Sequence, residues 1–286
     1  MGAGDGVEGA GGSNPVSPVA RGAEVGTEHG APPPPSGGPT VAHPEVALVG
    51  YTVFRDPGWF PQWQTDATAD AGRLMEFAGR LCYLSFHNPL GRTNRAYVDN
   101  LLQQAHFSVI EHVAASIAIR GVSRSLTHEL VRHRHFSFSQ LSQRFVNEDE
   151  ARVVVPEALR AEGLEGEALQ AAAAARQAYQ GLATALDRRL RARVPDRIAR
   201  RRLARQAARS VLPNMTETMI IVSGNLRAWA TFLKKRGAPE AEPEIRRLAL
   251  LVHALLVDLA PEVFSHFRPR TLPTGGQVLE TDVDFE

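Results

Sequence analysis

Cysteine is almost missing from this 286-residue chain, which has only Cys82. One thiol excludes an internal disulfide framework and a cysteine-based zinc site, and it fits a reducing cytoplasm. The expected helix around Cys82 offers it no basic neighbour except Arg80, so it reads as a small buried residue rather than a nucleophile. Also missing is any apolar run long enough to span a bilayer. The N-terminus lacks the charged-then-apolar pattern of a signal peptide, and Gly6 stands where a myristoylation signal has Ser or Thr. The expected location is therefore cytoplasmic, without membrane contact. Net charge is only +1, so no global field recruits nucleic acid, and the basic character is local. No internal repeat appears, no strand leads into a glycine-rich Rossmann fingerprint, and no His-Glu-x-x-His metal motif is present.

One more absence points to what is there. Between Glu129 and Glu148 the chain has no acid, yet Arg132, His133, Arg134, His135, Ser137, Ser139, Ser142 and Arg144 crowd together. Guanidinium forks pair with phosphate, hydroxyls complete a cradle, and each charge-assisted bond contributes about 1.5–3 kcal/mol when partly desolvated. Arg132 and Arg134 lie two apart and cannot share a helix face, so they converge only where a helix ends. The spacing predicts that helix over 124–131, with Ser123 as cap and Leu126, Leu130 and Val131 inward. The same composition also suits a solvated face or a patch tracking a nucleic-acid backbone, and composition alone leaves these open.

Residues 1–44 read as a disordered Gly/Pro-rich tail, residues 45–270 as one domain, and residues 271–286 as a short acidic tail, frayed from Glu280. Strands are expected near 46–54, 113–119, 153–155 and 216–223. A helix over 66–83 is expected to turn Leu74, Phe77, Ala78 and Leu81 inward, and one over 93–105 to bury Tyr97, Leu101 and Leu102. Gly58 to Trp63 reads as an aromatic packing loop. Further helices are expected at 158–194, at 197–211 with a solvated arginine face, from Gly224-Asn225 to Lys235, and at 243–267 with a division at Pro261. The start near Asn225-Leu226-Arg227 offers free amides and an arginine to an anion. These elements make an α/β protein of the α+β kind, with a small mixed or antiparallel sheet flanked by helices.

The order Arg-His-Arg, two residues, Ser, four residues, Ser, one residue, Arg is filled at every fixed position by Arg132, His133, Arg134, Ser137, Ser142 and Arg144. It resembles the signature of the flavin-dependent thymidylate synthases, the ThyX type. That resemblance spans about 46–267 and implies a ThyX-like fold and reductive methylation of dUMP to dTMP. It implies methylenetetrahydrofolate as one-carbon donor, tightly bound FAD as hydride source, and NADPH as its reductant. It also implies a homotetramer whose sites are shared between subunits. By the same resemblance His106, Ser108, Arg132, His133, Arg134, Gln140, Asn225, Arg227 and Thr231 fall on flavin contacts. Glu129, Arg132, Gln140, Leu141, Ser142, Gln143, Arg144, Arg209 and Arg236 fall on dUMP contacts, with Arg236 as the arginine that favours ionisation at uracil N3. Glu111 and His112 fall in a supporting shell. Some members carry Asn and Glu at Ser139 and Gln140, and His or Asn at Thr231.

Two rival readings remain. Histidines 106, 112, 128, 133 and 135 suggest a metal-dependent hydrolase, although Glu111 and Glu129 are the only nearby acids. The signature together with the arginines of 197–209 suggests a nucleic-acid module, although the aromatic partners for stacking are missing there. Ser142 reads as a substrate contact rather than a nucleophile, since His133 and His135 have no orienting acid.

Overall fold

The structure is a computed structural model that describes residues 39–285 apart from Pro89 and Thr274. The expected tail therefore lies outside the described residues as far as residue 38. Four antiparallel strands, β1 (Glu45–Tyr51), β2 (Ala114–Ser123), β3 (Ser137–Gln140) and β4 (Glu217–Asn225), form a sheet in the order β1-β2-β4-β3. The helices are α1 (Asp70–Tyr83), α2 (Asn94–Gln103), α3 (Arg124–Leu130), α4 (Glu157–Ala161), α5 (Glu165–Leu190), α6 (Arg197–Ala208), α7 (Leu226–Arg236), α8 (Pro243–Leu259) and α9 (Pro261–Phe264). A hairpin, β5 (Phe267–Thr271) and β6 (Gln277–Thr281), follows them.

Side chains alternate across a strand, so the run Ala-Ala-Ser-Ile-Ala-Ile in β2 sends Ala115, Ile117 and Ile119 to one face. In β4 the same alternation buries Ile220 and Val222 and leaves Met219 and Ile221 exposed. On the buried face lie α7 and α8, with Trp229, Phe232, Leu233, Leu248, Val252 and Leu256 fully enclosed. Trp229 donates from Nε1 to the Ala115 carbonyl at 3.2 Å, fastening α7 to β2. Among the described residues nothing covers the other face, where Met219 and Ile221 are exposed. Its central row, Ala47, Ala118, Ile221 and Ser139, runs across all four strands.

At Gly121 (φ +70°) β2 bulges, and a Cβ there would stand 1.7 Å from the His43 carbonyl oxygen. Thr40, Val41 and Ala42 pair with Val153, so the ordered body starts before residue 45. Val153 makes bridges rather than a full strand. The expected helix 158–194 is broken at Gly163 (φ +72°) between α4 and α5. The C-terminal expectation is overturned: residues 271–285 are not a frayed tail, because the hairpin and its extension bury Val278, Leu279, Val283 and Phe285.

Helix α1 also turns a different face inward from the one expected. Ala71, Gly72, Met75, Glu76, Gly79 and Arg80 are buried, while Leu81 and Cys82 are exposed. Leu74 and Phe77 are half-buried, and Phe77 joins the aromatic cluster of Phe54, Phe60, Trp63 and Phe86. The physical reason is an enclosed polar network. Arg80 Nε donates to Glu76 Oε1 at 2.6 Å, Asn94 Nδ2 to Glu76 Oε2 at 2.8 Å, and Thr65 Oγ1 to the same oxygen at 2.5 Å. Removing one partner of such a pair strands the other charge. Glu76→Ala is expected to destabilise by about 3–5 kcal/mol in chemical denaturation, and a loss below ~1 kcal/mol would contradict this account.

Candidate functional site

The signature is delivered by α3 and received by β4. Ser123 Oγ accepts from the Leu126 amide at 3.0 Å, so α3 starts where the sequence predicts. Past Leu130 the chain turns and Phe136 drops into the core against Trp229, with ring centroids 4.4 Å apart. Gly224 makes room for it: a Cβ there would meet the Phe136 ring at 2.3 Å. The chain then pairs with β4 as β3, leaving Arg132, Arg134 and His135 exposed behind it. Among the described residues neither Arg132 nor Arg134 has a carboxylate partner.

At the end of β4, Asn225 Oδ1 caps α7 by accepting from Ala228 N at 2.8 Å, and Leu226 N is taken by the Val113 carbonyl at 2.9 Å. The start of α7 therefore keeps fewer free amides than expected, and the positive provision there comes from side chains. Arg227, Thr231 and Lys235 follow at four-residue spacing on one helix face. They line a cavity of about 430 Å³ together with Glu111, His135, Asn225, Ala228 and Phe285. A second cavity of about 380 Å³ includes His106, Ser108, Phe107, Cys82 and again Arg227. Arg227 thus stands in the wall of both cavities, held by Glu111 Oε1 at 2.6 Å and lying 5.6 Å over the Phe107 ring. His106, Ser108, Asn225, Arg227 and Thr231 are in this way brought around adjoining spaces. Lys235 was readable from its helical spacing to Arg227 and Thr231, whereas nothing in the sequence marked Phe285. Thr231 Oγ1 turns to the carbonyls of Arg227 (3.0 Å) and Phe285 (3.2 Å).

The last turn of α7 returns to α3, and there Arg236, Glu129 and His133 meet. Arg236 Nη1 donates to Glu129 Oε2 at 2.8 Å, and its Nε donates to His133 Nε2 at 3.1 Å. A ring nitrogen that accepts from a guanidinium carries no proton, so His133 is neutral with its hydrogen on Nδ1. Burial, then the charges of Arg236 and Lys235, push the His133 pKa down to about 4. Burial and the neighbouring Glu242 carboxyl push Glu129 above the usual carboxylate range, with Arg236 opposing them. Among the described residues two of the five guanidinium N–H groups of Arg236 are occupied, which leaves three to offer a ligand.

The rest of the signature stands elsewhere. Gln140 Nε2 turns inward to Thr127 Oγ1 (3.0 Å) and Thr218 Oγ1 (3.3 Å), although it was expected to touch both cofactor and substrate. Leu141 lies on the bare sheet face with Ser139, Met219 and Ile221. Ser142 Oγ accepts from the Arg144 amide at 3.4 Å, and Arg144 is exposed. Gln143 is buried, and its Nε2, Glu148 Oε1 and Arg124 Nη1 have no hydrogen-bond partner among the described residues. Burial and repulsion from Arg209 lower the Arg124 pKa, with Glu148 opposing. Glu148 is itself pushed up by burial, with Arg124 opposing and the nearby Glu217 carboxylate adding to the rise. In α6, Arg200 is not solvated as expected, since it is enclosed and bonded to Asp187 at 3.1 Å.

The histidines at 106, 112, 128, 133 and 135 form no group of three that could hold a metal among the described residues. Likewise, no described helix is long and apolar enough to cross a membrane.

Comparison with known proteins matches residues 65–262 to the family described as "Thymidylate synthase complementing protein". A flavin-dependent thymidylate synthase from Mycobacterium marinum is 50% identical over 245 residues, covering 84% of this chain and 96% of that protein. One from Mycolicibacterium vanbaalenii is 48% identical over 249 residues, covering 86% and 98%. One from Corynebacterium diphtheriae is 47% identical over 235 residues, covering 81% and 92%. Among solved structures, the UMP/dUMP methylase PolB from Streptomyces cacaoi, bound with 5-Br dUMP, shares the fold with a TM-score of 0.57. That likeness comes at 20% identity and covers 79% of this chain and 95% of the other.

The His133 geometry sets a pH dependence. A folded-state pKa of about 4 lies below the ordinary 6.5, so the unfolded chain takes up this proton first as pH falls. The stabilising contribution is complete above about pH 6.5 and is lost as pH drops toward 4. Arg236→Gln removes a repelling cation and should raise the His133 midpoint in an NMR titration of its ring protons. An unmoved midpoint would place Arg236 away from the ring.

Proposed function

The chain belongs to the flavin-dependent thymidylate synthases, and from that premise we propose that it converts dUMP to dTMP. In this reading 5,10-methylenetetrahydrofolate gives the one-carbon unit and NADPH gives the electrons through FAD. The observation that carries the reading is Arg236, aimed by Glu129 and a neutral His133 at the end of the helix whose other residues line the Arg227 cavities. Those cavities fit a flavin chemically: Arg227 and Lys235 suit a pyrophosphate, Asn225 keeps an amide nitrogen, and Phe285 and Ala228 add apolar wall. When bound, a flavin supplies the two-electron reduction that no side chain here can perform.

The chain's own residues do the rest. Arg236 turns its three remaining N–H groups toward the pyrimidine and stabilises negative charge developing at N3 and the adjoining carbonyl oxygens. Because His133 is uncharged, it orients that guanidinium without competing for the anion. Arg132, Arg134, Arg144 and Arg209 serve the phosphate groups of substrate and cofactor.

A single copy does not gather all of these. Ser142 lies five residues past Ser137, about 17 Å if the chain stays extended. The dUMP contacts at Leu141 to Arg144 therefore complete a site on a second copy, in a homotetramer assembled on the bare sheet face. Exposed Met219 and Ile221 support that face as an interface.

The purified protein is expected to show flavin absorption and to form dTMP when given dUMP, methylenetetrahydrofolate and NADPH. Arg236→Ala should keep its flavin and lose turnover by about 10²–10³-fold, the loss typical of a missing charge-stabilising donor. A colourless protein that does not take up FAD would sink the proposal. Ile221→Glu should give a smaller species in light scattering together with lower activity, and an unchanged mass would remove the sheet face as the interface.

A further inference from the structure

Phe285 is next to last in the chain, yet it is 1% exposed. Its ring stacks on Phe267, with centroids 5.3 Å apart and planes at 13°. Its other neighbour is Phe107, 5.5 Å away, and Phe107 carries the Arg227 guanidinium on its face at 5.6 Å. The Phe285 carbonyl accepts from Thr231 Oγ1 at 3.2 Å, and Asp284 pairs with Lys234. The C-terminal segment therefore reaches α7 at Thr231 and Lys234 directly and at Arg227 through Phe107. It also faces the ligand space, because Phe285 lines the 430 Å³ cavity with Asn225, Arg227, Thr231 and Lys235. Phe285 thus belongs both to the core and to the lining of that cavity.

We propose that the C-terminal segment, through Phe285, is a wall of the flavin cavity and a positioning device for Arg227, so that cofactor affinity depends on residues beyond the last helix. This rests on the reading of that cavity as the flavin site. Physically, Arg227 is set by two supports: Glu111 holds one edge at 2.6 Å and the Phe107 face carries the plane. Phe107 keeps its tilt because Phe285 and Phe267 stand behind it. If the Phe285 ring is removed, Phe107 can fall back, the guanidinium follows Glu111 outward, and water enters the cavity beside Thr231. Thr231 has one hydrogen for two carbonyls, so its tie to Phe285 also sets how closely the segment seats on α7.

The test uses the full chain, stripped of flavin and titrated with FAD, read by quenching of flavin fluorescence and by the visible circular dichroism of the bound ring. Far-ultraviolet dichroism confirms the fold of each variant. Arg227→Ala reports on the cavity assignment itself. Phe285→Ala is expected to bind FAD at least about tenfold more weakly, an energy near 1.4 kcal/mol, with an altered visible dichroism. Phe285→Tyr should recover most of both signals. Should Phe285→Ala fail to fold, Thr231→Val severs the carbonyl tie at constant volume and is expected to weaken FAD by about threefold, which corresponds to the net worth of one hydrogen bond. If Arg227→Ala weakens FAD while Phe285→Ala and Thr231→Val bind like the parent, the role of the segment is overturned and the cavity reading stands. If Arg227→Ala binds like the parent as well, the cavity is not the flavin site and both fall.

Discussion

Arg236 is held on one edge by the Glu129 carboxylate and on another by a histidine that must stay uncharged to accept its hydrogen bond. This fixes more than one side chain. It joins the last turn of α7 to the end of α3, and so sets the position of the turn from which Arg132 and Arg134 project. The neutrality of His133 follows from its surroundings, since Phe232 meets its ring edge-on at 5.4 Å and Lys235 adds a second repelling charge. A protonated ring there would be a third cation beside Arg236 and Lys235 in a partly buried place, so the fold and the aim of Arg236 have the same requirement.

Strand β4 makes that meeting possible. It lies between β2 and β3, feeds α7 through the Asn225 cap, and carries Gly224, the residue over which Phe136 lies. A side chain at 224 would lift Phe136 off Trp229 and shift the whole signature turn. The cations themselves need no internal partners, because Arg132, Arg134 and Arg144 are left in solvent, where an unpaired charge costs little. Arg124 and Arg209 come together near Glu148 in partial enclosure, where burial and mutual repulsion lower the Arg124 pKa.

Local rules were enough to read several parts of this architecture. Ser123 and Asn225 act as caps because a short side-chain oxygen ahead of an apolar-periodic run does so on its own. Tyr97, Leu101 and Leu102 turn inward in α2 as their spacing requires, and Pro261 divides α8 from α9. Periodicity failed where polar groups took the interior. In α1 the pair Glu76 and Arg80 is enclosed by Asn94 and Thr65, which come from other elements, so the buried face rotates and Cys82 is turned outward. The C-terminal hairpin was missed for a related reason: Phe285 is buried by Phe267 and Phe107, the latter 178 positions away in sequence (285 minus 107), and a window of acidic residues gives no sign of such partners. Of the candidate site, the residue types and the signature order were legible, and the structure brings Arg236 to His133 within that signature. The inward turn of Gln140 was not, because Thr127 and Thr218 meet it only after β3 and β4 pair.

The signature is a continuous run in sequence but is divided in space, and β3 is what divides it. His133 and His135 stay near α7, while Leu141 to Arg144 are carried along the strand toward the bare sheet face and α6. An edge strand that exposes Ser137 and Ser139 beside an outward row of Ala47, Ala118 and Ile221 leaves apolar surface that a solvated sheet face would normally fill with polar groups. The uncovered row and the two separated ends of the signature are together the geometric ground for the proposed assembly with a second copy of the chain. The short β3 is what sets how far apart the two halves of the signature run stand.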